Sequence, residues 1–168
     1  MINYLATQKN WQNAFSDTIT SFAELAQALD LPIDSFDSQV GQFPLKVPRR
    51  FVQKMGKGDI HDPLLKQVLP TFQETVQVTG FVTDPLDEQH ANPVKGIIHK
   101  YASRMLIPVT GACVVNCRYC FRQHFDYHEN LPTQNDWQAI SAYITAHPAV
   151  NEVILSGGDT LSLINRRL

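Results

Sequence analysis

A strand, a loop, a helix and a second strand follow one another between residues 105 and 155, and this pattern constrains the fold most. Residues 105–109 form a short apolar run typical of a buried strand, and residues 153–155 form another. Pro108 lacks a backbone donor, which predicts that the first strand ends there or lies at an edge. The helix between them has Thr133 as its expected cap and an apolar face of Trp137, Ile140, Tyr143 and Ile144. The pattern predicts a βαβ unit with parallel strands and a right-handed crossover.

Two parallel strands alone would leave both faces of their sheet uncovered. Parallel sheets are normally covered on both faces, so this unit requires more strands than the 168 residues contain. Residues 161–168 also have the pattern of a helix that has only begun. We therefore expect the chain to be a fragment of a longer protein.

The residues before this unit predict a helical lobe with irregular connections. Apolar side chains recur at helical spacing after three residues that begin helices well, namely Ser21, Pro48 and Asp62. Ser21 also has capping-box spacing from Glu24, whereas residues 73–96 are rich in turn formers. We therefore divide the chain into a mainly helical N-terminal lobe, residues 1–103, and the first βαβ portion of an incomplete α/β core domain, residues 104–168.

Composition and charge exclude several classes of function. The formal net charge is -2 and the pI is about 6.3, so the chain offers no broad basic surface for nucleic acid. No apolar run approaches the roughly 20 residues of a membrane span, and the N-terminus lacks the features of a signal peptide. We therefore expect a cytoplasmic protein that binds neither nucleic acid nor membrane.

The three cysteines of the chain lie together on the loop after the first predicted strand, as Cys113-x3-Cys117-x2-Cys120. An odd number gives a poor disulfide framework, whereas thiolates are good metal ligands in a reducing compartment. Three of them can hold a four-iron cluster and leave one iron open to a small molecule. His124 could instead complete a closed zinc site with the same cysteines, and thiols without metal are a third possibility.

A glycine pair follows the second predicted strand, in Ser156-Gly157-Gly158-Asp159. Glycines at such a place let the backbone approach a ligand closely, and a carboxylate beside them can pair with an ammonium group. By itself this sequence is more often a turn than a site. Its position, one βα unit after the cysteines, favours a ligand site.

Residues 113–120 match the signature of the radical S-adenosylmethionine superfamily, C-x3-C-x-aromatic-C. The resemblance implies the N-terminal part of a partial (β/α)6 barrel and a [4Fe-4S] cluster whose open iron is chelated by S-adenosylmethionine. One electron from a donor such as flavodoxin or ferredoxin would then cleave that molecule to an adenosyl radical. The implied ligands of the cluster are Cys113, Cys117 and Cys120. The implied contacts of S-adenosylmethionine are Tyr119, Ser156, Gly157, Gly158 and Asp159, with Asp159 at its amino group.

Longer blocks resemble the lysine 2,3-aminomutases, from about Val47 to the end of the chain. These blocks are His99-Lys100-Tyr101-Ala102-Ser103-Arg104, Cys117-Arg118-Tyr119-Cys120-Phe121-Arg122 and Ser156-Gly157-Gly158-Asp159-Thr160-Leu161. The N-terminal lobe looks most similar to the bacterial branch that makes β-lysine for the modification of elongation factor P. The resemblance therefore implies an isomerase that moves an amino group of α-lysine with the help of pyridoxal phosphate.

The same resemblance assigns roles to individual residues. Arg122 would bind the substrate carboxylate, because a guanidinium suits that anion. Tyr101 and Arg104 would bind pyridoxal phosphate, with Lys100 as a helper. Thr160 departs from the family, which usually has proline there.

In the family, the lysine that anchors pyridoxal phosphate lies in a distal half that this chain lacks. We therefore assign no Schiff-base lysine and expect the isolated chain not to isomerise lysine. We also expect no stable complex with elongation factor P, whereas a homo-oligomer is possible.

Three other interpretations stay open. The chain could belong to another radical S-adenosylmethionine enzyme with a different substrate, which binding of pyridoxal phosphate by the full-length protein would separate. It could be an interaction module built on a Cys3His zinc site. It could also be a noncatalytic remnant, with an open sheet edge that favours aggregation.

Overall fold

The computed structural model of the chain describes residues 16–37, 41 and 43–163. These residues form a mixed α/β structure with two small sheets. They divide into two compact units. The first contains the described residues up to Phe81 together with 114–120, and the second contains 82–113 and 121–163. Within the described ranges, no helix is long and apolar enough to cross a membrane.

The first unit contains short elements around an apolar core. A two-stranded antiparallel sheet pairs β1 (Thr18–Ile19) with β2 (Val47–Pro48), and the helices are α1 (Phe22–Leu29) and α2 (Arg49–Val52). The unit also contains short 3-10 helices at Ile33–Ser35, Leu65–Gln67 and Phe72–Thr75. The core side chains include Ile19, Leu25, Leu29, Val47, Leu65 and Val68. The predicted helix after Ser21 and the helix start at Pro48 are confirmed.

The predicted capping box of α1 is wrong. Ser21 precedes the helix, but its side chain makes no capping hydrogen bond. Glu24 instead pairs with Arg49, which also binds Asp17 at 2.9 Å. The Glu24 carboxylate, which the local pattern assigned to the end of α1, is therefore used in an ion pair with a residue far away in sequence.

The third predicted helix, after Asp62, is only a 3-10 turn, Leu65–Gln67. Its start is as expected, because the Asp62 carboxylate accepts hydrogen bonds from the backbone N–H groups of Gly56, Leu64 and Leu65 at 2.8–2.9 Å. These bonds, that of Gly56 foremost, lower the pKa of Asp62 below its usual range. Pro70 explains the early end, since a proline disfavours helical backbone in the residue before it.

The second unit is built on a three-stranded sheet in the order β3 (Ile98–Tyr101), β4 (Arg104–Thr110), β5 (Glu152–Gly157). Strands β4 and β5 are parallel, as predicted, with Leu106 opposite Ile154. Strand β3 forms an antiparallel hairpin with β4, and sequence reasoning missed it. Its two-residue turn, Ala102–Ser103, lacks the Asn-Gly or Asp-Gly signal that makes such a hairpin predictable.

Pro108 lies inside the central strand and is fully buried, so the prediction of a strand end or an edge is wrong. The pairing with β5 shifts its register between Pro108 and Thr110. Such an irregularity accommodates a residue that cannot donate to the ladder.

Two helices complete the second unit, α3 (Tyr127–Asn130) and α4 (Asp136–Ala146). Helix α4 buries Ile140 against the core residues Ile97, Met105 and Ile107. Its cap is Asn135, not the predicted Thr133, whose N–H and hydroxyl both donate to Asp136. Trp137 is exposed, so its predicted place on the buried face is wrong.

The predicted helix start in residues 161–168 is a single 3-10 turn, Thr160–Ser162, as far as the described residues reach. Residues 164–168 lie outside them.

Candidate functional site

The spacer residues between the motif cysteines, 114–116 and 118–119, are held by contacts within the first unit. Val115 packs against the apolar core of that unit. Asn116 donates its backbone N–H to the carbonyl of Lys46 at 2.9 Å and its side-chain amide to the carbonyl of Pro44 at 3.0 Å. The backbone N–H of Arg118 donates to the carbonyl of Gln67 at 2.8 Å. The spacers of the cysteine motif therefore hold segment 114–120 in place.

The side chain of Arg118 adds a partly buried ion pair to this attachment. Its Nε donates to Glu74 Oε1 at 2.8 Å, and its Nη2 pairs with the other oxygen of the same carboxylate. Its Nη1 donates to the carbonyl of Phe43 at 3.0 Å, and the guanidinium lies over the ring of that residue. Only 8% of the Arg118 side chain is exposed. Such forked pairs fix geometry as well as contribute energy.

We expect Arg118→Ala to loosen segment 114–120. Hydrogen bonds to charged groups contribute about 1.5–3 kcal/mol each, so amide exchange there should accelerate about tenfold or more. Hydrogen–deuterium exchange with mass spectrometry measures the change. Lys57→Ala is the matched control, because Lys57 pairs with Asp30 in the same unit but on an exposed surface. Unchanged exchange in residues 114–120 of Arg118→Ala would contradict this role.

The three motif cysteines form no disulfide and are half-buried. Cys113 belongs to the second unit, whereas Cys117 and Cys120 belong to the first. Cys120 donates its backbone N–H to the carbonyl of Cys117 at 3.0 Å. Three thiols on one loop have the donor chemistry that an iron-sulfur cluster requires. In the described part of the chain, however, no group of three or more His, Cys, Asp or Glu side chains is assembled to hold a metal ion, so both the cluster and the zinc site stay predictions.

Tyr119, the aromatic residue of the motif, is 70% exposed. The neighbouring Cys117, through its charge first and a hydrogen bond second, raises the pKa of Tyr119. The exposed side chain suits stacking on a flat ligand.

The glycine pair at the end of β5 packs directly on the backbone that leads to Cys113. Gly157 has a φ of 120°, and a Cβ there would lie 2.2 Å from the carbonyl oxygen of Thr110. A Cβ on Gly158 would lie 2.4 Å from the carbonyl oxygen of Ala112. The N–H groups of Gly158 and Asp159 donate to those same two carbonyls at 2.6 and 2.8 Å. The structure thus brings the predicted Ser156–Asp159 loop against the start of the cysteine loop, within one unit.

Arg122 is buried in the second unit and bound by a residue that sequence reasoning missed. Its Nε and Nη2 donate to the two oxygens of Glu88 at 2.7 and 2.6 Å. Its Nη1 donates to Ser156 Oγ at 3.2 Å. Because Glu88 lies 34 residues before Arg122, no local pattern could have shown the pair. Its assignment to a substrate carboxylate stays a prediction.

Tyr101 and Arg104 lie at the other end of the sheet from the glycine loop. They face each other across the β3–β4 hairpin, and Arg104 pairs with Glu152 at 3.4 Å. Strand β4 begins at Arg104 and ends at Thr110, so at about 3.3 Å per residue the two ends lie about 20 Å apart. Lys100 donates to the carbonyl of Leu86. The structure therefore does not bring these residues together with Ser156–Asp159, and their role at pyridoxal phosphate stays a prediction.

Comparison with known proteins gives the family. No protein-family model matches the chain. It is 45% identical to the L-lysine 2,3-aminomutase of Haemophilus influenzae over 92% of its own length and 46% of the relative's. It is 44% identical to that of Escherichia coli with the same coverage, and 29% identical to that of Clostridium subterminale over 97% of this chain and 40% of the relative.

These relatives are aminomutases, a class of isomerases. The chain is a homologue of the L-lysine 2,3-aminomutases, and it spans about 46% of the length of the first two relatives. Its mixed α/β structure with parallel strands β4 and β5 carries the cysteine motif and the glycine pair.

Proposed function

We propose that this chain carries the cluster-binding and S-adenosylmethionine-binding part of a radical lysine 2,3-aminomutase. The observation that carries the proposal is the 44–45% identity to proteins of that name over 92% of the chain. The packing of Gly157 and Gly158 on residues 110–112 supports it, because it joins the two motifs that such a site needs. The expected frame is the first part of a partial (β/α)6 barrel.

In this proposal, Cys113, Cys117 and Cys120 hold a [4Fe-4S] cluster, and the loop after β5 holds S-adenosylmethionine. When bound, these groups supply the one-electron chemistry that generates a radical from S-adenosylmethionine. Asp159 holds the ammonium of that molecule, and Tyr119 offers an exposed ring beside its adenine. Anchored by Arg118 and Asn116, the loop holds Cys117 and Cys120 in position.

The proposed substrate is L-lysine, and the product is β-lysine. Arg122 binds the substrate carboxylate. The resemblance assigns Tyr101 and Arg104 to pyridoxal phosphate, but they lie about 20 Å from Ser156 at the other end of β4, so in this structure they do not share a site with Arg122. A supply of β-lysine for the modification of elongation factor P is the proposed use of the product. The name of the relatives supports lysine as the substrate, whereas the residue roles and the use of the product are proposals from the resemblance of the motifs. The 168-residue chain, which spans about 46% of those relatives, is not expected to complete the reaction.

Anaerobic reconstitution with iron and sulfide, followed by electron paramagnetic resonance of the reduced protein, tests the proposal. We expect a cubane signal that changes when S-adenosylmethionine is added. Cys117→Ser should lose the iron and the acid-labile sulfide.

His124→Ala separates the two metal sites that the sequence allows. It should keep both iron and sulfide if the three cysteines hold a cluster, because the histidine is then no ligand. Zinc bound without sulfide, and lost in His124→Ala, would instead establish the Cys3His module and overturn the proposal.

A further inference from the structure

The pair formed by Glu88 and Arg122 is the most deeply buried ion pair of the second unit. Only 6% of the Glu88 side chain and 8% of the Arg122 side chain are exposed. Both carboxylate oxygens are used, each by a different guanidinium nitrogen. Burial of two charges is costly unless their geometry is good and further hydrogen bonds satisfy them, and this pair meets both conditions.

The backbone around Glu88 is itself fixed. The carboxylate of Asp84 accepts the backbone N–H groups of Glu88 at 3.1 Å and Gln89 at 3.0 Å. These bonds, that of Gln89 foremost, lower the pKa of Asp84. The charged carboxylate of Asp84 therefore closes the turn that presents Glu88, immediately before the 3-10 helix Gln89–Ala91.

Glu88 sets the plane of the Arg122 guanidinium. The Nε and Nη2 nitrogens lie on one edge of this planar group, and the fork to Glu88 fixes that edge. The rings of Phe121 and Phe125, with centroids 4.8 and 5.9 Å from the guanidinium carbon, restrain its faces. The remaining nitrogen, Nη1, consequently points to Ser156 Oγ, the first residue of the glycine loop.

We propose that Glu88 is a positioning residue, which orients Arg122 so that its Nη1 side is presented to the carboxylate of an amino-acid substrate beside Ser156. The inference rests on the proposed function for its substrate. It adds a residue to the site that carries no ligand contact of its own and acts through the arginine.

By orienting Arg122, Glu88 would strengthen binding of the substrate carboxylate, whereas its negative charge alone would weaken that binding. A second carboxylate near the substrate carboxylate repels it, so a residue that acted only by its charge would weaken substrate binding. Orientation and charge therefore predict opposite signs for the same substitution. Glu88→Gln removes the charge and preserves the volume, but it places an amide NH2 against one of the guanidinium donors, so Arg122 can no longer keep its plane.

The test compares L-lysine with L-lysinamide, which lacks the carboxylate charge, as ligands of the full-length protein. In the unsubstituted protein, L-lysine should bind more tightly than L-lysinamide. In Glu88→Gln, we expect the Kd of L-lysine to rise about tenfold while that of L-lysinamide changes little, because one charge-assisted hydrogen bond is worth about that factor. Glu88→Asp, which keeps the carboxylate, should recover part of the preference.

Glu24→Gln is the matched control. It breaks another pair of glutamate with arginine, to Arg49 in the first unit, and should leave the preference for L-lysine unchanged. A tighter complex of Glu88→Gln with L-lysine, or equal losses for both ligands, would overturn the inference. If the unsubstituted protein binds neither ligand, the proposed function itself fails. If it binds both equally, the cluster-binding and S-adenosylmethionine-binding part of the proposed function survives, but Arg122 does not bind the carboxylate and the inference fails.

Discussion

Replacement of Gly157 by alanine is expected to lower the free energy of unfolding by about 3 kcal/mol or more. The φ of 120° lies in a region that side chains rarely adopt, and the new Cβ would stand 2.2 Å from the carbonyl oxygen of Thr110. Strain of this kind costs about 1–3 kcal/mol, and the close contact adds a second cost because a backbone atom must move. Urea unfolding followed by circular dichroism measures the loss.

Two other glycines separate the cost of the backbone conformation from the cost of the close contact. Gly58 has a φ of 71° and no neighbour within 4 Å of a built Cβ, so Gly58→Ala should show only a backbone cost of about 1–2 kcal/mol. Gly158 lacks a positive φ, but its Cβ would lie 2.4 Å from the carbonyl oxygen of Ala112, so Gly158→Ala reports the close contact alone. Equal losses in Gly157→Ala and Gly58→Ala would show that β5 and residues 110–112 do not approach as closely as described.

Replacement of Glu88 by alanine is expected to destabilise the protein by about 3–5 kcal/mol, because it leaves the guanidinium of Arg122 charged and buried without its counter-ion. With 8% of the Arg122 side chain exposed, water cannot replace the carboxylate unless the local structure opens. The loss is measured by urea unfolding at neutral pH.

The double variant Glu88→Ala/Arg122→Met supplies the control. Removal of both charges should cost less than removal of Glu88 alone, since no uncompensated ion remains. Simple addition of the two single losses would mean that the residues are not coupled, contrary to their forked contact.

Sequence patterns over neighbouring residues predicted the helices and strands that depend mainly on those neighbours. The helix after Ser21 and the parallel strands β4 and β5 follow from hydrophobic periodicity and from the glycines and prolines that end such runs. The cysteine motif and the glycine pair were also recognisable, since their spacing along the chain carries the signal. The chain is 44–45% identical to proteins named L-lysine 2,3-aminomutase, in agreement with the resemblance that the longer sequence blocks indicated.

Contacts between residues far apart in sequence determined the features that these patterns did not predict. Three glutamates pair with arginines far away in sequence. Glu24 pairs with Arg49 and does not cap its helix. Glu74 pairs with Arg118, 44 residues later, and Glu88 pairs with Arg122, 34 residues later. A carboxylate far along the chain has no periodic signal, so sequence reasoning named Arg122 but not the residue that orients it. The hairpin of β3 and β4 was missed because its turn, Ala102–Ser103, lacks the Asn-Gly or Asp-Gly sequence that marks such hairpins.

By itself, the sequence determined which groups are available: three thiols on one loop, a glycine pair after a strand, and the basic residues around them. Only the tertiary structure decided which of them meet. It placed the glycines on the backbone before Cys113, held segment 114–120 through Arg118 and Asn116, and turned Arg122 toward Ser156. The physical reason is that spacing along a chain limits only neighbours, whereas burial forces each charge and each backbone donor to find its partner wherever the fold brings one near.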